Sequence, residues 1–204
     1  MLKRTYGRIL LALLVVTGLA GTLKHSSLSQ KERKQAISLI RTSKNDVLKS
    51  VNGLSRAQIN YKASPKDPSI GEIIMNMVSL EKKCNDEIKE AMGQPSNAEN
   101  RLQIALTDDQ LLASNTSALW KAHVPGNDKA SLKDAPEALK KFVSLRDHYI
   151  KYIRTSTEDL RNHVVSTPAG WIDCYQYFLL LADQSSYFID KISQIKSLPR
   201  FPRK

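Results

Sequence analysis

Two carboxamides interrupt apolar stripes in this chain of 204 residues. Asn76 falls between Ile73 and Leu80, and Gln184 shares a helical face with Leu181, Phe188, Ile192 and Ile195. A buried amide without a partner costs about 1–3 kcal/mol. Each should therefore be a satisfied core amide or the polar floor of a ligand pocket, and the residue pattern leaves both readings open. The usual carriers of chemistry are sparse. His25, His123, His148 and His163 are widely separated, and none has a partner at metal-ligand spacing. His148 has Asp147 and Tyr152 beside it, and His163 lies in a linker. Both read first as structural, with acid–base work as the rival role because imidazole titrates near neutral pH. Cys84 and Cys174 form no CxxC pair and have no histidine close in sequence, so a zinc reading is weak. The chain has no glycine-rich phosphate loop, GxSxG or HExxH motif. Tyr149, Tyr152, Tyr175 and Phe178 fall on helical stripes and read as core.

The elements that must position these residues are helical. Ser29 and Glu32 have the spacing of a capping box, as do Ser69 and Glu72. After the first, Ile37, Ile40, Val47 and Val51 recur at helical spacing until Asn52-Gly53. After the second, Ile73, Met77, Leu80, Cys84 and Ile88 form one stripe ending near Gly93. Residues 93–134 are irregular apart from a short helix expected at DDQLLAS. Pro136 suits the first turn of a third long helix with Leu139, Phe142, Val143, Tyr149, Ile150 and Ile153 inward. Pro168 and Gly170 break the chain, and a last helix is expected from about Trp171 to Lys196. No segment alternates as a strand does. Four amphipathic helices with one long middle crossover predict an all-α, four-helix bundle.

Hydrophobic residues make up 41% and charged residues 25%, the balance of a globular domain. The net charge of +11 is spread among acids along helix faces, as in QKERKQ, with no aromatic-interleaved basic stripe. No nucleic acid is expected as a partner. The first 23 residues differ from the rest: MLKRTYGR is basic, and ILLALLVVTGLAG carries no charge. That pattern predicts an export signal or membrane anchor over residues 1–23, the apolar part being 9–23. The apolar run of about 15 residues falls short of the roughly 20 that cross a bilayer comfortably. The expected location is periplasmic or extracytoplasmic, with the N-terminal segment as the route to any membrane association.

The segments GLSRAQINYKASP, SIGEIIMNMVSLE, EALKKFVSLRDHYIKYIRTSTEDLRNHV and GWIDCYQYFLLLADQ, with the terminal QIKSLPRFP, stand in an order that resembles the DinB/YfiT-like superfamily over residues 28–204. The resemblance implies an up-and-down four-helix bundle, with a homodimer as one assembly open to it. It also implies a metal held by one histidine on the second helix and an HxxxH pair on the fourth, in proteins that include thiol-dependent transferases and isomerases. Carried over by position, those ligands are Asn76, Gln184 and Phe188 in this chain, and the tryptophan before Ser69 is Pro68. Glu81, Asp173, Gln176 and Phe201-Pro202 keep the pattern. An amide oxygen is a weak ligand and a phenyl ring is none, so no metal and no cofactor is expected.

The expected function is that of an exported binding or structural module that has lost metal-dependent activity, with Asn76, Gln184, Phe188 and Glu81 lining its pocket. The competing expectation is an enzyme of transferase or hydrolase type that uses His148, His163 or an acidic neighbour in the bundle cavity. An amide–amide or water-bridged contact between Asn76 and Gln184 should replace the metal. In an up-and-down bundle the second and fourth helices run parallel. Cys84 and Cys174 would then lie about 27 Å apart at about 1.5 Å per residue, beyond disulfide reach. Two free thiols are expected.

Overall fold

The computed structural model describes residues 28–113, 134–167 and 170–203. The expected export segment and His25 lie outside the described residues, as does His123 in the crossover. Four long helices dominate: α1 (Gln30–Val51), α3 (Ile70–Met92), α5 (Ala135–Thr155) and α6 (Cys174–Lys196). Between them lie the one-turn helix α2 (Arg56–Ile59), a 3-10 turn (Ala98–Gln103), the short helix α4 (Asp108–Ala113), and strands β1 (Val164–Thr167) and β2 (Gly170–Asp173).

Local chemistry explains the boundaries. Both predicted capping boxes close, with Ser29 accepting from the Glu32 amide and Ser69 from the Glu72 amide while each glutamate reaches back. Helix α5 starts with the Asp134 side chain as its cap and Pro136 in the first turn. One element adds to the sequence reading, and one expected boundary needs correction. The stretch after Gly53 holds α2, because Ser55 and Gln58 form a third capping box. The last helix begins at Cys174 and not near Trp171, because Gly170–Asp173 pairs antiparallel with Val164–Thr167. Four-residue strands are too short for alternation to show in sequence. Gly170 has a φ of +104°, which a side chain would resist.

Contacts between the helices set their directions. Tyr175 at the start of α6 donates to the Glu32 carbonyl at 3.0 Å, and Lys196 at its end donates to the Ser50 carbonyl at 3.0 Å. Helices α1 and α6 therefore run parallel. Arg33 near the start of α1 donates to the carbonyls of Ile153 and Ser156, while Lys44 further along meets Asp147 at 2.6 Å, so α1 and α5 are antiparallel. Gly71 lies beside Ala135 at the starts of α3 and α5, and Glu81 pairs with Arg146 further along, which makes α3 and α5 parallel. Tyr177 near the start of α6 reaches Glu87 near the end of α3, so these two are antiparallel.

The bundle is thus up, down, down, up, and the up-and-down expectation is corrected. The main contacts run in the cyclic order α1, α6, α3, α5, so that α3 and α5 are the one consecutive pair of long helices that pack side by side. The long crossover makes this possible by returning the chain to the end at which α3 began. We call the end holding the start of α1 proximal and the opposite end distal. The core runs the length of the bundle, through Ile40, Met77, Phe142, Tyr149, Phe178 and Leu181.

The topology also changes the argument about the cysteines. Antiparallel α3 and α6 carry Cys84 and Cys174 toward the proximal end together, so the expected separation loses its basis. Both thiols are nevertheless free and buried. Burial pushes each up to about 12, away from the reactive thiolate.

Candidate functional site

At the distal end, the start of α3, the last turns of α6 and the 63–68 segment enclose a cleft of about 480 Å³. Ile73, Ile195, Leu198 and Pro68 supply apolar wall. Phe188 is buried and packs edge-to-face on Tyr187, with ring centroids 5.3 Å apart. Four polar side chains join them: Asp67, Asn76, Lys191 and Gln194. Lys191 lies 5.7 Å from the centre of the Tyr187 ring. Among the described residues, none of these four side chains forms a hydrogen bond or an ion pair.

The structure therefore brings together two of the four expected pocket residues, Asn76 and Phe188. Gln184 lies one turn from Phe188 on the same helix face, fully buried, with neither amide atom hydrogen-bonded. The direct amide contact expected between Asn76 and Gln184 is not made, because Asn76 lines the open cleft while Gln184 is enclosed by core.

Glu81 is placed elsewhere. It sits at the bundle centre with no exposure, its Oε1 2.7 Å from the Nε of Arg146, which is equally buried. Arg146 also donates to the Ser43 hydroxyl at 3.2 Å, the Ser185 hydroxyl at 3.2 Å and the Leu181 carbonyl. Its guanidinium lies 5.1 Å from the Phe142 ring centre. One side chain on α5 thus engages α1, α3 and α6. Burial raises the Glu81 carboxyl to about 7, and Arg146 limits the rise. Sequence reading missed Arg146, although the signal that exposed Gln184 was there: it lies between Phe142 and Tyr149 on an apolar stripe.

Arg161, at the proximal end, was missed as well. It meets Glu32 at 2.7 Å, Asp108 at 2.6 Å and Asp173 at 3.0 Å, and its guanidinium stacks 4.1 Å from the Tyr175 ring centre. Burial opposes its charge, but Asp108, Asp173 and Glu32 together raise its pKa above the ordinary arginine value. Asp173 and Glu32 differ in environment. Burial raises Asp173 despite Arg161, whereas Glu32, also opposed by burial, is held below its usual value by Ser29 and Arg161. No signal in the sequence joined residues 32, 108, 161 and 173.

Neither described histidine lines the cleft. His163 is a loop anchor near the proximal end, with Nδ1 2.7 Å from the Asp159 carbonyl oxygen and Nε2 3.1 Å from that of Gln94. His148 lies in another groove beside Tyr149, Tyr152 and Phe178. The alternative in which His148 or His163 serves as acid or base therefore finds neither ring at the distal cleft, because both belong to segments near the other end.

No protein-family model matches the sequence, and no curated protein matches it. Among solved structures, YfiT from Bacillus subtilis superposes with a TM-score of 0.57 over 83% of this chain and 89% of that one, at 14% identity. The fold is the YfiT fold. YfiT is described as "a probable metal-dependent hydrolase with an unusual four-helix bundle topology". At this identity the likeness extends to architecture alone. The three positions that the family resemblance assigns to metal ligands carry weak donors or none. Asn76 offers a neutral amide, Phe188 a packed phenyl ring, and Gln184 an amide shut in the core. Among the described residues, no three His, Cys, Asp or Glu side chains are grouped to hold an ion.

Proposed function

We propose that this chain is a binding module on the YfiT fold, exported and tethered through residues 9–23, which holds a small organic ligand in the distal cleft without using a metal. The observation that carries the reading is the fate of three positions. Asn76 presents an uncommitted amide to the cleft, Phe188 forms its packed wall, and Gln184 is sealed one turn away. Such a set has no ligand shell to lower the pKa of a bound water. The volume and mixed lining of the cleft suit a small-molecule site.

The net charge of +11 supports weak attraction to anionic lipid close to the tether. Because Leu28 enters the bundle proximally, a tether there leaves the cleft facing away across the length of α1. That helix has 22 residues, about 33 Å at the usual rise.

Metal analysis and intact mass of the protein from its native compartment test the proposal together. We expect metal well below one equivalent per chain after exposure to zinc or nickel, in a membrane or extracytoplasmic fraction. Stoichiometric zinc or nickel that is released by Asn76→Ala would overturn the metal-free reading. A cytosolic protein with an intact N-terminus would overturn export.

A further inference from the structure

We propose that the distal cleft binds a small zwitterion with an apolar body, meaning an apolar α-amino acid or a short peptide carrying both free termini. This rests on the binding-module reading and specifies its ligand. The cleft has opposite charges available at once: Asp67 on the 63–68 segment and Lys191 on α6. Among the described residues, neither side chain is ion-paired with the other or with another protein charge. Asn76 and Gln194 add two carboxamides, each able to donate and accept. The wall between them is aromatic and aliphatic, through Phe188, Tyr187, Ile73 and Leu198.

The Arg161 cavity shows the alternative. It is larger, about 900 Å³, but its arginine and its acids are already spent on one another. A ligand entering there must break ion pairs, whereas one entering the distal cleft meets charges that, among the described residues, have no ion pair to break. Single-charge ligands fit the distal set less well. A simple anion meets Lys191 but faces Asp67, and a simple cation faces the reverse. A fatty chain would cover four polar side chains without pairing them, at a cost for each. A zwitterion satisfies both charges, with its carboxylate toward Lys191, its ammonium toward Asp67 and its side chain on the Phe188 wall.

Titration calorimetry of the full chain with L-leucine and with leucyl-leucine tests this, beside N-acetyl-leucine and leucinamide as singly charged controls. We expect saturable binding of at least one zwitterion, and the better of the two identifies amino acid or peptide. Removing either charge should weaken binding about tenfold or more, the scale of a lost charge-assisted hydrogen bond. Lys191→Met should abolish discrimination against leucinamide, and Asp67→Asn should abolish discrimination against N-acetyl-leucine, with circular dichroism unchanged. Equal binding of zwitterions and singly charged controls would overturn this inference while leaving the binding-module reading intact. Absence of binding by all four probes would also overturn it. Failure of the module itself is read separately, by stoichiometric metal retention.

Discussion

The two ends of this bundle treat ionised side chains in opposite ways. Proximally, Arg161 collects Glu32, Asp108 and Asp173 and stacks on Tyr175, so one cation joins α1, α4, the hairpin and α6. Distally, Asp67 and Lys191 share a cleft without pairing, beside two carboxamides whose side chains bond to none of the described residues. Half-buried groups that pair hold structure, and groups left unpaired on a concave wall remain free for something that arrives. The difference teaches where to look for stability and where for binding. Between the ends, the Glu81–Arg146 pair belongs with the structural class, although its acid was expected in the pocket.

The comparison can be broken by mutation, starting where the largest effect is expected. Arg146→Met leaves the buried Glu81 carboxyl without its partner and should cost about 3–5 kcal/mol in urea unfolding, whereas adding Glu81→Leu should restore most of it. Equal losses in the single and double variants would show that the pair is not the cause.

The same pair should mark the pH profile. The Glu81 carboxyl is raised to about 7 when folded, from an ordinary value of 4.5. The folded state therefore holds the proton more tightly, and this contribution to stability is full below pH 4.5 and fades as pH rises through 7. Subtracting the stability curve of Glu81→Gln from that of the parent should leave a downward slope across that window. A flat difference would remove burial as the dominant influence on Glu81.

Arg161→Met should cost about 2–4 kcal/mol, less than the central variant because the guanidinium is partly solvated. In the other direction, Gln184→Met should gain about 1–3 kcal/mol by removing a buried amide that bonds to none of the described residues. A loss there would reveal a partner for the amide. Lys191→Met should stay within about 0.5 kcal/mol. A larger cost would place the lysine among the structural cations and erase the contrast between the ends.

The helices were legible because capping boxes and apolar spacing are local: Ser29 and Ser69 each stand at a helix start and act within three residues. Helix order around the bundle was not legible. An apolar stripe records that a face is buried without recording which helix covers it, so α3 packing on α5 in parallel had no sequence signature. The hairpin was hidden by its brevity. Asn76 and Phe188 were found because they break or fill a stripe at positions flagged by a resemblance. Arg146 was passed over because an arginine among apolar residues reads as a long side chain reaching solvent. Burial of both members of an ion pair is a tertiary fact, since each charge is tolerable only beside the other.

The direction of α1 and α6 has a mechanical consequence. The described chain enters proximally at Leu28 and leaves distally at Arg203, and these two helices lie side by side and point the same way. Tension applied between an N-terminal attachment and anything held at the far end would slide α1 along α6. Sliding strains the whole seam at once, while peeling opens it one turn at a time. The arrangement is a strut that resists load along its own axis, with the cleft at the loaded tip.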